Sequence, residues 1–524
     1  MAEKAKSTQK QMTINIVASI IAFGVTIGIN FFLTPHLVSS LGTEAYGFIG
    51  LANNFVQYAT IVTAALNSMA GRFISVEYHR GNLKRATTIF NSVLIADLFL
   101  AAVMLVASGL LTAFIDVILN VPEGLVTSVK ITFALTFLTY VISVVTAIFT
   151  TAPFVKNRLE INYIRNIISN LIKVAMIVGL FTLFSPQLYF IALASLGSGV
   201  FLLLANITVK RRLLPEIKTN FRDFKLSMVK MLITSGMWMS LAQLSNILLS
   251  GLDLLICNVT IGATLMGLMS IAKTVPQSIA ILINQISSVF TPHYTILYAK
   301  NDMDGLVKEV NFTSKIQSLI MTVPLAGFIV FGHEFYTLWQ PSKTPDEITT
   351  IQIISVLTVL MYLFTAHTQA LTMLNSVFNK LKTPVLVALG VGVFSTIAVL
   401  LIVNFTDLSP VYKAFFIAGI SSLLMSLRSL IFVPLYSAYL LKQKKTIFYP
   451  AILRSWLSFL IIAVIFFVIR SFIPMNSWGK FLIVCVVAGL LGYVISLFTM
   501  FNRKELALLK SKITGKLKKN NTNT

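Results

Sequence analysis

The sequence predicts an all-α polytopic membrane protein of about fourteen spanning helices, built as two pseudo-symmetric six-helix lobes followed by two further helices. Three observations predict it. Of the 524 residues, 56% are hydrophobic and only 11% charged, where a soluble domain carries roughly 25% charged residues. Apolar stretches recur from Ile14 to Met500 with short polar breaks, and about 20 such residues cross a ~30 Å hydrocarbon core. Finally, residues 220 positions apart match without a gap from the first helix through the end of the second.

Taken in order, the predicted spans are 14–33, 46–70, 87–110, 128–149, 162–184, 188–209, 232–257, 264–290, 313–331, 348–375, 385–404, 411–439, 450–470 and 479–501. The first follows a basic head (Lys4, Lys6, Lys10) as a secretory signal would. It runs too long for one, lacks a small-residue cleavage site before Pro35, and is followed by many more spans, so it reads as a retained helix. With the N-terminus in the cytoplasm, 33 of the 41 Lys and Arg residues fall on the inner side, 5 on the outer (Lys130, Lys343, Lys413, Arg470, Lys480) and 3 within spans. This asymmetry predicts cytoplasmic N- and C-termini in a cytoplasmic membrane, and it accounts for the net charge of +23 without nucleic acid. Inner segments include 71–86, 210–230 and 441–449, and residues 332–347 are expected outside. The basic tail from Arg503 to Lys519 either lies on anionic lipid or is solvated.

The repeat aligns Leu41–Gly47 with Ile261–Gly267, Ala52 with Ala272, Gln57 with Gln277, and Tyr78 with Tyr298. Six spans separate the copies, so both enter the membrane in the same sense, as a parallel repeat does. The expected divisions are 1–209 for the first lobe, 210–231 for a basic cytoplasmic linker, 232–441 for the second lobe, 442–502 for the last two helices, and 503–524 for the tail.

Four predicted helices carry polar stripes. Helix one has Asn15, Ser19, Thr26 and Asn30; helix two has Asn53, Gln57, Thr60 and Asn67. Helix seven has Ser235, Asn246, Ser250 and, one turn on, Asp253, while helix eight has Lys273, Gln277, Asn284, Ser287 and Thr291. Polar groups are costly against lipid, so these faces turn either to a watery cavity or to neighbouring helices. Five charged residues lie within spans: Asp97, Lys173, Asp253, Lys273 and Arg428. Each is either a structural charge or a group that meets a substrate or couples an ion, since a charge at the bilayer centre costs at least ~2.5 kcal/mol unless paired or hydrated. Asp253 and Lys273 form a structural pair, or Lys273 meets an anionic group while Asp253 holds it or carries a proton. Pro276 is expected to interrupt helix eight, and Gly24 with Gly28 to mark a bend or a close helix contact.

The five histidines show no metal spacing, Cys257 and Cys485 lie far apart, and nucleotide, zinc-protease and serine-hydrolase motifs are absent from the sequence. No cofactor is expected, and energy would come from ion gradients such as protons or sodium, from the substrate gradient, or from a separate subunit. Outer loops of about 17 residues or fewer leave little room for catalytic domains, which argues against an enzyme such as a membrane glycosyltransferase or polymerase.

The run FLTPHLVSSLGTEAYGFIGLANN at 32–54 resembles polysaccharide flippases of the multidrug/oligosaccharidyl-lipid/polysaccharide exporter superfamily. So do residues 251–257, 267–273, Phe290-Thr-Pro at 290–292, and FGHEFYTLW at 331–339. The resemblance covers nearly the whole chain. It implies two six-helix lobes around a cavity lined by helices one, two, seven and eight, through which an undecaprenyl-pyrophosphate-linked oligosaccharide turns over. It implies membrane lipids and, in the same pathway, a polymerase and glycosyltransferases as partners. Asp253 falls on an acid common in helix seven of the family, and Lys273 on a position of helix eight where basic residues occur. Related lipid II flippases carry an arginine-containing charged pair in helix one, where this chain has Thr26 and Asn30, so lipid II is disfavoured. A cation-coupled drug antiporter of the same superfamily is the alternative; three basic against two acidic intramembrane charges lean toward an anionic substrate.

Overall fold

The computed structural model describes residues 2–502, 505 and 506. The rest of the basic tail, residues 503–504 and 507–524, lies outside the described residues. Fourteen helices among the described residues are long and apolar enough to span a membrane. They are α1 (Ala2–Leu41), α2 (Thr43–His79), α3 (Leu83–Ala113), α4 (Glu123–Val155), α5 (Glu160–Leu183), α6 (Tyr189–Leu213) and α7 (Leu226–Gly251). Then come α8 (Ala263–Ala299), α9 (Met303–Trp339), α10 (Pro345–Val377), α11 (Lys382–Phe405), α12 (Pro410–Leu440), α13 (Tyr449–Phe472) and α14 (Trp478–Met500).

The chain gathers into two compact units, Met1–Ile271 with Val385–Ile417, and Ala272–Pro384 with Ala418–Thr524. In the first, α2 packs on α7, α4 on α3 and α6, and α5 on α1 and α6. Small residues set the α2–α7 distance, as is usual between helices in lipid. A Cβ on Gly236 would fall 1.9 Å from the Ala65 carbonyl oxygen, and Ser240 Oγ donates to the Ile61 carbonyl at 2.7 Å. The basic segment after α6 is also held to this unit. Asn91 on α3 donates to the Lys218 carbonyl at 3.0 Å and accepts from the Asn220 N–H at 3.1 Å. Ser92 accepts from the Lys225 N–H at 2.9 Å, and Leu214 and Ile217 are fully buried.

The 220-residue repeat leaves a mark inside this unit. Gly42 (φ 87) and Gly262 (φ 135) occupy equivalent positions before α2 and α8, in backbone conformations that favour glycine. Thr264 Oγ1 donates to the Glu44 carboxylate at 2.6 Å, and those two residues are also 220 apart. A Cβ on Gly47 would meet Gly267 Cα at 2.8 Å, and one on Gly50 would meet Ser270 Oγ at 2.4 Å. Equivalent residues meet in this way where they lie beside the axis that relates two copies.

In the second unit α9 packs on α10, α13 and α14. Phe331 stacks on Phe466 with ring centroids 5.2 Å apart, and Arg470 Nε donates to Glu334 Oε1 at 2.6 Å.

Several expectations are corrected. Residues 71–79, read as an inner loop, continue α2, and the turn to α3 is confined to Arg80–Asn82. Within residues 332–347, read as an exposed outer segment, 332–339 continue α9, with Tyr336, Trp339 and Gln340 buried; the connection to α10 at Pro345 is short, and its residues 341, 342 and 344 are exposed. His333 and Glu334 lower the hydropathy there without breaking the helix, because Glu334 is paired with Arg470. Pro276 does not interrupt α8, which runs through both Pro276 and Pro292. A proline removes one N–H, and a long helix can absorb that single loss. Nor do Gly24 and Gly28 mark a close contact, since a Cβ on either would meet nothing within 4 Å. The break falls instead in helix seven, read as continuous from 232 to 257: a π-helical turn occupies Ile247–Gly251 and a separate short helix covers Asp253–Thr260.

Candidate intramembrane binding site

The interruption of α7 organises the polar part of the first unit. A helix end leaves carbonyls without intrahelical partners, and in an apolar setting each must be satisfied by other groups. The Gly251 carbonyl accepts two hydrogen bonds from α2, from Asn54 Nδ2 at 3.0 Å and from the Tyr58 hydroxyl at 2.6 Å. Asp253 lies in the first turn of the new helix and is 6% exposed. There the partial positive charge of the helix N-terminus favours its carboxylate. Sequence reading missed Asn54 and Tyr58. The signal available was their four-residue spacing, which puts both on one face of α2.

In this unit several predicted residues keep accessible side chains: Asn30 on α1, Asn53 and Gln57 on α2, and Asn246 with Ser250 on α7. Others serve packing. Thr26 donates to the Ala22 carbonyl at 2.9 Å and accepts from Asn170 on α5 at 3.1 Å. Asn15 accepts from the Glu160 N–H at 3.1 Å. Asn67 donates to Asp97 Oδ1 at 3.3 Å; Asp97 is fully buried, and its other oxygen has no hydrogen-bond partner among the described residues. Lys173, on α5, lines a cavity of about 170 Å³ together with Asn53.

In the second unit Lys273 is buried on α8, while Gln277 and Asn284, one and three turns on, are accessible. Asn284 accepts from Gln369 on α10 at 2.7 Å. Ser287, expected on the same stripe, is buried and accepts from Gln317 on α9 at 2.6 Å, so it joins helices. Arg428 opens a second π-helical turn, Arg428–Phe432 in α12; its Nη1 lies 3.7 Å from Met425 Sδ and its Nε is buried without a hydrogen bond among the described residues. Thus two of the five intramembrane charges stand at or beside π-helical turns, features that recur at functional positions in helices. Among the described residues no three His, Cys, Asp or Glu side chains are grouped to hold a metal.

Fourteen apolar helices with accessible polar side chains on several of them define a polytopic membrane protein. The chain superposes on the lipid II flippase MurJ in an inward closed conformation with a TM-score of 0.66 at 15% identity, covering 92% of this chain and 98% of that one. An inward-facing multidrug resistance transporter of the MATE family gives a TM-score of 0.66 at 16% identity, covering 80% and 95%. By sequence, the chain belongs to the polysaccharide biosynthesis protein family, which matches residues 12–295. It is also 27% identical over 502 residues to the uncharacterized membrane protein EpsK of Bacillus subtilis (strain 168), covering 95% of this chain and 97% of that protein.

Proposed function

We propose that the chain translocates an undecaprenyl-pyrophosphate-linked oligosaccharide repeat unit across the cytoplasmic membrane by alternating access, supplying surface polysaccharide synthesis. The observation that carries this reading is the set of accessible amides, Asn30, Asn53, Gln57, Asn246, Gln277 and Asn284, on long apolar helices of a polysaccharide biosynthesis protein. Amides at such positions are disfavoured against lipid and suit a hydrated surface that hydrogen-bonds sugar hydroxyls. The two six-helix lobes, 1–209 and 232–441, the cytoplasmic termini, and a pathway polymerase and glycosyltransferases as partners belong to the same proposal. A cation-coupled drug antiporter shares the fold, and the family membership favours the glycan.

Deleting the gene should make lipid-linked repeat units accumulate on the inner leaflet while surface polymer disappears. Failure to assemble repeat units at all would point to a glycosyltransferase role. Lys273 is assigned to the substrate pyrophosphate, whose charge of about −2 is bound more strongly in a low-dielectric setting than in water. Lys273→Gln should abolish export at normal membrane abundance, and Lys273→Arg should retain part of it. Asp253→Asn and the double change complete the cycle: full recovery in the double mutant would make the two a structural pair and remove Lys273 from the substrate.

A further inference from the structure

The cavity around Lys173 is lined by residues of α2, α4, α5 and α6 of the first unit. Its walls include Asn53, Thr136, Thr139, Ser143 and Ser195. Lys173 has neither a hydrogen bond nor a carboxylate within ion-pair distance among the described residues, and none of the residues lining the cavity is acidic. The positive charge is therefore uncompensated in a space that sits within apolar helices.

The hydroxyls around it are not equivalent. Thr139, Ser143 and Ser195 donate to carbonyls of their own helices at 2.8, 2.7 and 2.9 Å, so their oxygens offer lone pairs to the cavity. Those lone pairs can solvate an ammonium but cannot neutralise it. Donors remain on Lys173 itself, on the Asn53 amide and on the Thr136 hydroxyl, which make no other hydrogen bond among the described residues. A half-buried cation of this kind, set among apolar helices, is stabilised by an anion that brings a compensating charge and accepts from the remaining donors. A volume of about 170 Å³ is several waters' worth, enough for one small anion or a single carboxylate-bearing sugar and too little for an oligosaccharide.

We propose that the Lys173 cavity is a binding site for one monovalent anion, held by the Lys173 ammonium with Asn53 and Thr136. This goes beyond the lipid-linked substrate and does not rest on it. The shared chemistry has two sources, a free inorganic ion or the carboxylate of an acidic sugar.

The test is equilibrium binding of radiolabelled chloride and of radiolabelled glucuronate to the purified full chain in lipid nanodiscs, at constant ionic strength. Saturable binding of about one anion per chain is expected for at least one of them, and the arm that saturates identifies the source. Affinity should fall by about tenfold or more in Lys173→Gln, and be retained in part in Lys173→Arg, because a charged donor is the main attraction. Thr136→Val keeps the charge and should weaken binding by a smaller factor; it decides the matter if Lys173→Gln does not fold. Absence of saturable binding in both arms, or affinity unchanged in Lys173→Gln and Thr136→Val, overturns the proposal. Neither result bears on the export phenotype, which is read in cells.

Discussion

Removing the two α2 donors that meet the Gly251 carbonyl should give a strongly non-additive loss of stability. Asn54 Nδ2 and the Tyr58 hydroxyl share that single acceptor at 3.0 and 2.6 Å. Either bond alone still satisfies the carbonyl. Interhelical hydrogen bonds in membranes are worth about 0.6 kcal/mol on average and rarely above ~1.7 kcal/mol. Asn54→Leu and Tyr58→Phe should therefore each destabilise by about 1 kcal/mol or less. The double change strands a buried acceptor, which adds a desolvation penalty of about 1–3 kcal/mol. The expected excess over the sum of the singles is thus on the order of 1–2 kcal/mol. Reversible unfolding of the purified protein in mixed micelles, read as a double-mutant cycle, measures it. Losses that add to within ~0.5 kcal/mol would refute the reasoning, since they would mean that the carbonyl finds another partner or that the helix reseals through 251. The two donors would then have no part in placing Asp253.

Gly47→Ala should destabilise by roughly 1–3 kcal/mol, because its Cβ would press on the backbone of Gly267 at 2.8 Å, whereas Gly28→Ala, with nothing within 4 Å, should be neutral or slightly stabilising in the same unfolding assay. Asp116 accepts from Lys130 at 2.9 Å, and that hydrogen bond and charge hold its carboxyl below the usual range. A depressed folded-state pKa contributes stability above the unfolded value of about 3.9 and loses it as pH falls through the folded value. The stability difference between the wild type and Lys130→Met should accordingly be constant near neutrality and shrink below pH ~4; a difference that instead grew in acid would show that the pair does not act this way. For orientation, single cysteines at Ser342 and Ser511 in a Cys-free variant should label oppositely with an impermeant reagent in intact cells, and labelling of both from outside would reverse the inference drawn from the basic residues.

What the sequence made legible follows from which physical term dominates each feature. Hydropathy is a sum over some twenty residues, so the number of spans survives local irregularities such as Glu334. Helix ends are set by single groups. The α2 extension through Phe73, Ile74 and Tyr78 packs within the first unit, with Ile74 fully buried, and a loop reading of 71–86 saw only its charges. The polar stripes were legible as faces but not as functions. Asn53 and Asn54 are adjacent in sequence, yet one is accessible and the other is spent on a carbonyl. Ser287 has the same spacing as Asn284 and turns to Gln317 instead. Periodicity places a side chain on an arc of the helix, and only the neighbour on that arc decides what it does.

The repeat shows most clearly where pattern and structure part. A constant offset of 220 predicts that helix seven should copy helix one, and at their ends the copies do agree, through Gly42 and Gly262 and through the Glu44–Thr264 bond. Yet α1 continues without a break through residues 27–33, whereas the equivalent residues 247–253 contain the π-helical turn and the start of a new helix. The difference lies in two substitutions between the copies and in what α2 supplies. Phe31 is replaced by Gly251, which weakens the helix; Leu33 is replaced by Asp253, which is better placed in a first helical turn than in a helix interior; and α2 supplies Asn54 and Tyr58 to the carbonyl that is set free. Duplicating a helix pair provides two similar walls, and only the second copy carries a buried acid at a broken helix. The first turn of a helix favours a carboxylate, so the acid of the second copy depends on the break that α2 holds open through Asn54 and Tyr58.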